Sequence, residues 1–371
     1  MSDPLERAAA LWSLGLQQVW ERYTAAQEAI LAQGRALVSQ TPATVVRVEG
    51  RARLLRYTPQ VPAPHPIPLL CVPSLINRHY VMDLIPERSL VRYLLGRGLD
   101  VYMLDWGTAT PADRYRPFDE YITGLLRRAV AAVRQTSGSS AVSLLGYCMG
   151  GLFAALYTVL YPDDVAALVN LAGPINYHDD GIYSLWTRPE WMDADLYVDT
   201  LGNIPAPLLN MTFNLVRPTN ELVQALNYWE RGEDEGFMRR FAAMQIWLND
   251  PTPFPGEAFR KYIKDFYQRN LLVQGQLEVG GQRIDLGAIR APTLTIAARH
   301  DHIAPWRSVT LLHDLVSSAD KDVIVLESGH IGLVIGASAQ TTLWPHLGDW
   351  LAALPFPPRG GRVGDGGPSD A

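Results

Sequence analysis

The sequence predicts an α/β fold with a mostly parallel sheet and an inserted, mostly helical cap. Three observations predict it. Short apolar runs alternate with helical stretches over residues 45–175. The alternation breaks over 176–285, where tryptophans and prolines scatter, and it resumes over 286–354. Apolar residues make up 48% of the 371-residue chain and charged residues 19%, enough to build a core over most of its length. A strand–helix–strand order of this kind is satisfied by parallel strands with helices on both faces.

The elements follow in order. Residues 1–44 form a first region. Within it, 5–33 read as a helix whose Trp12, Leu16, Val19, Tyr23, Ala26 and Ile30 make one apolar stripe, ended by Gly34. The stripe suits packing on the chain's own domain or docking of a partner. Val45, Val46, Val48, Leu54, Leu55 and Tyr57 read as short strands. Pro68–Val72 is a buried strand, Leu90–Gly98 a helix, and Val101–Leu104 a strand ending at Asp105-Trp106-Gly107. Tyr121–Gln135 is helical, Ala141–Leu145 a strand, Leu152–Tyr161 a helix and Val165–Leu171 a strand. In the cap, which carries Trp186, Trp191, Trp229 and Trp247, helices are expected at Asn220–Arg231 and Glu257–Gln268. Strands at Thr293–Ala297 and Asp322–Leu326 then alternate with helices at Trp306–Val316 and Thr341–Ala353. The Pro/Gly-rich residues 355–371 read as a disordered tail.

Several function classes fall away at once. The net charge of −6 carries no basic excess, so no nucleic-acid partner is expected. Two cysteines, Cys71 and Cys148, cannot make a disulfide framework, and their apolar surroundings suggest free thiols in the reducing cytoplasm. Met1–Ala10 carries Asp3 and Glu6 and lacks a basic-then-apolar export signal. The uncharged run Ala141–Tyr161 has membrane-spanning length, but Gly146, Gly150 and Gly151 fit a strand, a sharp turn and a buried helix instead. His300, His313 and His346 lack metal-ligand spacing, so no metal is expected.

The strongest local signal is Gly146-Tyr147-Cys148-Met149-Gly150-Gly151, between a strand and a helix. That is the setting of a nucleophile elbow, in which small flanking residues permit a tight turn. Cys148 would sit at its tip, where the helix N-terminus and the Met149 backbone N–H would stabilise a thiolate and an oxyanion. The acid and base are then sought downstream. Asp301 follows the strand 293–297, and His330 lies in a Gly-flanked loop after the strand 322–326. Cys148, Asp301 and His330 thus occur in the chain order that the α/β-hydrolase fold requires. Asp105 also ends a strand, but it precedes the nucleophile and reads as a structural carboxylate holding a loop. His302, beside Asp301, is a candidate supporting residue. A second oxyanion donor is expected from the backbone of Leu75 or Ile76, in the loop Val72–Arg78.

These residues together resemble the polyhydroxyalkanoate synthases, most closely the class III catalytic subunit. The Gly146-x-Cys148-x-Gly150-Gly151 elbow is similar to the family's lipase-like box with cysteine in place of serine. Pro73–Arg78, Asp100–Gly107, Trp247–Asp250, Gly256–Arg260, Tyr262–Tyr267 with Asn270, Asp301–Ile303 and Gly329–Gly332 carry the likeness, which runs from about residue 45 to 353.

The resemblance implies polymerisation of (R)-3-hydroxyacyl groups from coenzyme A thioesters, with Cys148 as acyl carrier, His330 as base and Asp301 as acid. Coenzyme A is then product, and no cofactor is permanently bound. The resemblance also implies a non-catalytic second subunit, since the long N-terminal domain of classes I and II is replaced here by the 5–33 helix. It implies a homodimer through the cap and a place on the polyester granule surface. A thiolate suits this chemistry, because thioester exchange keeps the acyl group reactive towards a hydroxyl. A Cys-dependent esterase, lactonase or thioesterase and a catalytically silent granule scaffold are the competing readings.

Overall fold

The computed structural model describes residues 37–354 apart from 63 and 217–219, together with most of 13–30. The expected tail 355–371, the start of the N-terminal helix, its Trp12, Leu16 and Val19, and the stop at Gly34 lie outside the described residues. Eight strands form one sheet: β1 (Ala43–Glu49), β2 (Ala52–Tyr57), β3 (Leu69–Val72), β4 (Val101–Asp105), β5 (Val142–Tyr147), β6 (Val165–Leu171), β9 (Thr293–Ala298) and β10 (Lys321–Leu326). Their order is β1-β2-β4-β3-β5-β6-β9-β10. Near one edge β2 pairs antiparallel with both β1 and β4, and the other neighbours pair parallel. The interior strands β3, β4 and β5 are buried at every position, which is why they read as continuous apolar runs. Edge strand β1 is mostly exposed.

Helices cover both faces. Met149–Leu160 is buried through its first ten residues, between β5 and β6, so its sequence is apolar all round. This explains the uncharged run 141–161 without a bilayer. Among the described residues no helix is long and apolar enough to cross a membrane. The helix expected from Leu152 starts three residues earlier, at Met149. Gly150 and Gly151 are its first turn, not its prelude, because the helix is pressed against the strands where only glycine fits.

Between β6 and β9 lie the helices Ile182–Trp186, Ala194–Leu201, Ala206–Val216, Asn220–Arg231 and Glu235–Leu248, and a continuous helical stretch from Gly256–Lys261 through a wide turn at Tyr262–Gln268. A small hairpin follows, β7 (Glu278–Val279) with β8 (Gln282–Arg283). Sequence periodicity had indicated only two of these helices. The N-terminal helix docks on this region: Tyr23 meets Tyr228 and Phe241 edge-on, and Arg22 lies 5.1 Å over the Trp229 ring. Of the two uses open to its stripe, the buried Tyr23 and Ile30 serve packing on the chain's own body.

Candidate active site

The turn after β5 is forced by its residues. Cys148 has φ +57° and ψ −127°, a conformation that a side-chain-bearing residue adopts only when its surroundings hold it. They do: its N–H donates to the Leu171 carbonyl at 2.9 Å, and its carbonyl accepts from Gly151 N–H at 2.8 Å. A Cβ on Gly150 would stand 1.9 Å from the Val72 carbonyl oxygen, and one on Gly146 would stand 2.3 Å from the Gly150 carbonyl oxygen. The small flanks are therefore a packing requirement. Cys148 is part-exposed at the sheet's carboxyl edge, as N-cap of the Met149–Leu160 helix. The other thiol, Cys71, is enclosed in β3, and burial pushes it up to about 12.

Asp301 and His330 come together from the loops after β9 and β10. His330 Nδ1 lies 2.6 Å from Asp301 Oδ2. The other carboxylate oxygen accepts from the N–H groups of Ile303 and Ala304 at 2.8 and 2.9 Å, so the acid is fixed before it meets the ring. With Nδ1 engaged, Nε2 is the nitrogen left for Cys148. Burial pushes the imidazole's proton affinity down. The Asp301 and Cys148 charges and hydrogen bonds outweigh it and hold His330 well above its usual value. Tyr147 supports the ring from the strand side, with ring centroids 5.2 Å apart and its hydroxyl donating to the His330 carbonyl at 3.4 Å.

The other candidates separate cleanly. Asp105 accepts from Arg53 at 2.6 Å and from Gly107 N–H at 3.0 Å, and faces His79. Burial raises it, but these partners win and hold it well below the usual carboxylate range, as a carboxylate that ties a loop. His302 is exposed and borders a groove with Asp179, Asp180 and Trp306, which Asp301 also borders; Cys148 and His330 line a different cavity. Among the described residues no cluster of three or more His, Cys, Asp or Glu could hold a metal ion.

The cavity that contains Cys148, Met149 and His330 has a volume of about 520 Å³. Aromatic side chains are prominent in its walls, among them Trp186, Trp191, Trp247, Phe259, Tyr262 and Tyr267. Trp229, the fourth cap tryptophan, sits instead under Arg22 at the surface. Ile76 lines the cavity, whereas Leu75 turns its side chain into the core. The loop bearing both is stapled to the cap. Arg78 pairs with Asp250 at 2.9 Å, Tyr80 donates to Asp250 at 2.8 Å, Trp247 donates to the Arg78 carbonyl at 2.9 Å, and Thr252 donates to the Leu75 carbonyl at 3.0 Å. These staples were invisible as roles in the sequence. Their one signal was the opposite charge of Arg78 and Asp250 in two separate motif segments.

Comparison with known proteins agrees with this geometry. A model of the alpha/beta hydrolase fold matches residues 67–337, and a model of the poly-beta-hydroxybutyrate polymerase (PhaC) N-terminus matches 16–94. The second match carries the likeness upstream of residue 45, into the N-terminal helix. The poly(3-hydroxyalkanoate) polymerase subunit PhaC of Allochromatium vinosum is 39% identical, over 84% of this chain and 88% of that protein. The subunit of the same name from Haloferax mediterranei is 35% identical, over 90% of this chain and 68% of its own length. A hydrolase from Pseudomonas aeruginosa PA01 shares the fold, with a TM-score of 0.53 at 15% identity, covering 85% of this chain and 100% of the other. An α/β-hydrolase fold whose elbow carries cysteine, with these relatives along most of its length, places the chain in the poly(3-hydroxyalkanoate) polymerase (PhaC) family.

Proposed function

We propose that this chain is the catalytic subunit of a poly(3-hydroxyalkanoate) polymerase and that Cys148 carries the acyl group. The observation that carries this reading is the 2.6 Å His330–Asp301 pair facing a cysteine at a strained strand–helix elbow inside an aromatic cavity. Cys148 Sγ attacks the thioester carbonyl of an (R)-3-hydroxyacyl-CoA. The developing oxyanion is met by the Met149 N–H at the helix N-terminus and by the N–H of Ile76, whose side chain lines the cavity where that of Leu75 does not. The sulfur–carbon bond to coenzyme A breaks, and coenzyme A leaves as the thiol with the proton that His330 holds. His330 then takes the proton from the hydroxyl of a further (R)-3-hydroxyacyl group, whose oxygen attacks the Cys148 thioester; the Cys148 sulfur–carbon bond breaks, the sulfur recovers the proton from His330, and the ester chain is one unit longer. Asp301 orients and charges the imidazole, and His302 borders Asp301 from the far side. The aromatic walls keep out the water that would divert the acyl group to free acid. No cofactor is permanently bound.

The cap leaves Leu185, Leu196, Leu201, Val223 and Leu226 exposed, none of which lines the cavity. Such a surface supports the reading that the cap is covered in the working assembly, by a second copy of the chain, and that a non-catalytic second subunit completes the synthase. It also supports a place at the surface of the apolar polyester granule. The test is to mix the purified chain with (R)-3-hydroxybutyryl-CoA, alone and with a class III partner subunit, and to follow thiol release and sedimentable polymer. Thiol release with polymer is expected. Thiol release with free hydroxyacid alone would make the protein a thioesterase, and no release in either mixture would remove the catalytic reading.

A further inference from the structure

The catalytic cavity is lined by three parts of the chain: the sheet-edge loops with Cys148 and His330, the cap helices, and the N-terminal helix through Tyr23. Its lining residues differ in exposure. Trp191, Met211 and Leu215 are 75%, 52% and 51% exposed, and we take the cavity to open to solvent at their end. Tyr23, Gln245 and Trp247, which also line it, are 2%, 3% and 6% exposed. Tyr23 is backed by Phe241 and Tyr228, at ring-centroid distances of 6.0 and 6.3 Å, so this end is blind. Its polar atoms are tied to one another: the Tyr23 hydroxyl donates to Gln224 Oε1 at 3.1 Å, and Gln245 Nε2 donates to the same oxygen at 2.6 Å. The network fixes the Tyr23 ring as a wall.

We propose that Tyr23 is a specificity-determining residue which, by closing the blind end, limits the length of the acyl side chain that can reach Cys148. The inference rests on the polymerase reading. Coenzyme A is large and charged and must stay at the solvent end, and the growing chain needs the same opening to leave. The blind end remains for the acyl side chain. A wall there discriminates by size, since one methylene more than a pocket can hold changes acyl transfer by about tenfold or more. The N-terminal helix is then part of the substrate site.

Two readouts test this on the full-length chain. The first compares thiol release from (R)-3-hydroxybutyryl-CoA and (R)-3-hydroxyoctanoyl-CoA in wild type, Tyr23→Phe and Tyr23→Ala. The second needs no polymerase activity: it times alkylation of Cys148 by N-butyl and N-octyl iodoacetamide, read by peptide mass. In both, Tyr23→Ala should shift the long-to-short ratio by about tenfold in favour of the long chain, and Tyr23→Phe should keep the wild-type ratio. Gln224→Ala, which frees space in the cavity wall beside Tyr23, should shift it the same way and decides the matter if Tyr23→Ala does not fold. An unchanged ratio in the folded variants, or an equal shift in Tyr23→Phe, overturns the proposal. If wild type releases no thiol from either thioester even with a class III partner subunit present, the polymerase reading fails, while the alkylation ratio still judges the role of Tyr23.

Discussion

The elbow and the cap reach their conformations by different routes. Around Cys148 the backbone has no freedom: Gly146 and Gly150 are in contact with carbonyl oxygens, and the strands on both sides are buried at every residue. In the cap, helices such as Ala206–Val216 bury a single residue, Leu209, and leave Met211 and Leu215 in solvent. Other parts of the cap share the apolar cores of the sheet through Phe241, Trp247, Phe259 and Phe266, and Asp250 with Arg78 and Tyr80 adds polar anchors. The elbow's backbone is thus over-determined, while the cap joins a packed base to a sparsely packed outer helix.

The contrast breaks first at the nucleophile. Cys148→Ala should lower thiol release by about 10⁴-fold or more and Cys148→Ser by at least about 100-fold, with the fold intact by circular dichroism. A serine variant near wild-type rate would contradict the argument for a thioester intermediate. Gly150→Ala comes next and should act on the fold itself. A methyl group 1.9 Å from the Val72 carbonyl oxygen must move β3 or the helix, at about 2–4 kcal/mol, seen as a lower denaturation midpoint.

Asp250→Ala should cost less, about 2–3 kcal/mol, because it removes the carboxylate from a largely enclosed Arg78 and leaves it only the carbonyls of residues 107 and 250. Thiol release should also slow, since the Leu75–Ile76 loop loses its staple. The core would then be seen to depend on the cap for its oxyanion site, whereas a loss of stability with unchanged rate would separate the two.

Legibility from sequence follows the same division. Cys148, Asp301 and His330 stand out in the sequence because each sits just past a strand whose apolar run is unmistakable. The start of the helix at Met149 does not, because two glycines signal a turn unless the carbonyl pressed against them is known. Most cap helices were missed because their apolar residues follow no single buried face: Leu196 and Leu201 of Ala194–Leu201 are exposed, while Val198 between them is buried. Tyr23 was read correctly as part of an apolar stripe, yet nothing local shows that its ring walls a cavity over a hundred residues away in sequence.

The smallest expected effect concerns pH. His330 is held above its unfolded value of about 6.5. A group raised on folding contributes stability that is fully present below its unfolded value and is lost as pH rises through the folded one. The thermal midpoint of wild type should therefore fall on the alkaline side of about pH 6.5, and Asp301→Asn, which removes the raising charge, should flatten that slope. Equal slopes in the two proteins would deny the pair its electrostatic role.

The central claim is that the acyl group passes through Cys148 on its way to the polymer. The most direct measurement is the peptide mass map of the chain quenched in acid shortly after mixing with (R)-3-hydroxybutyryl-CoA. The account predicts a hydroxybutyryl adduct on the peptide that contains Cys148, absent in Cys148→Ala and lost on treatment with hydroxylamine. Thiol release and polymer without that adduct, or with the adduct on another residue, would contradict it.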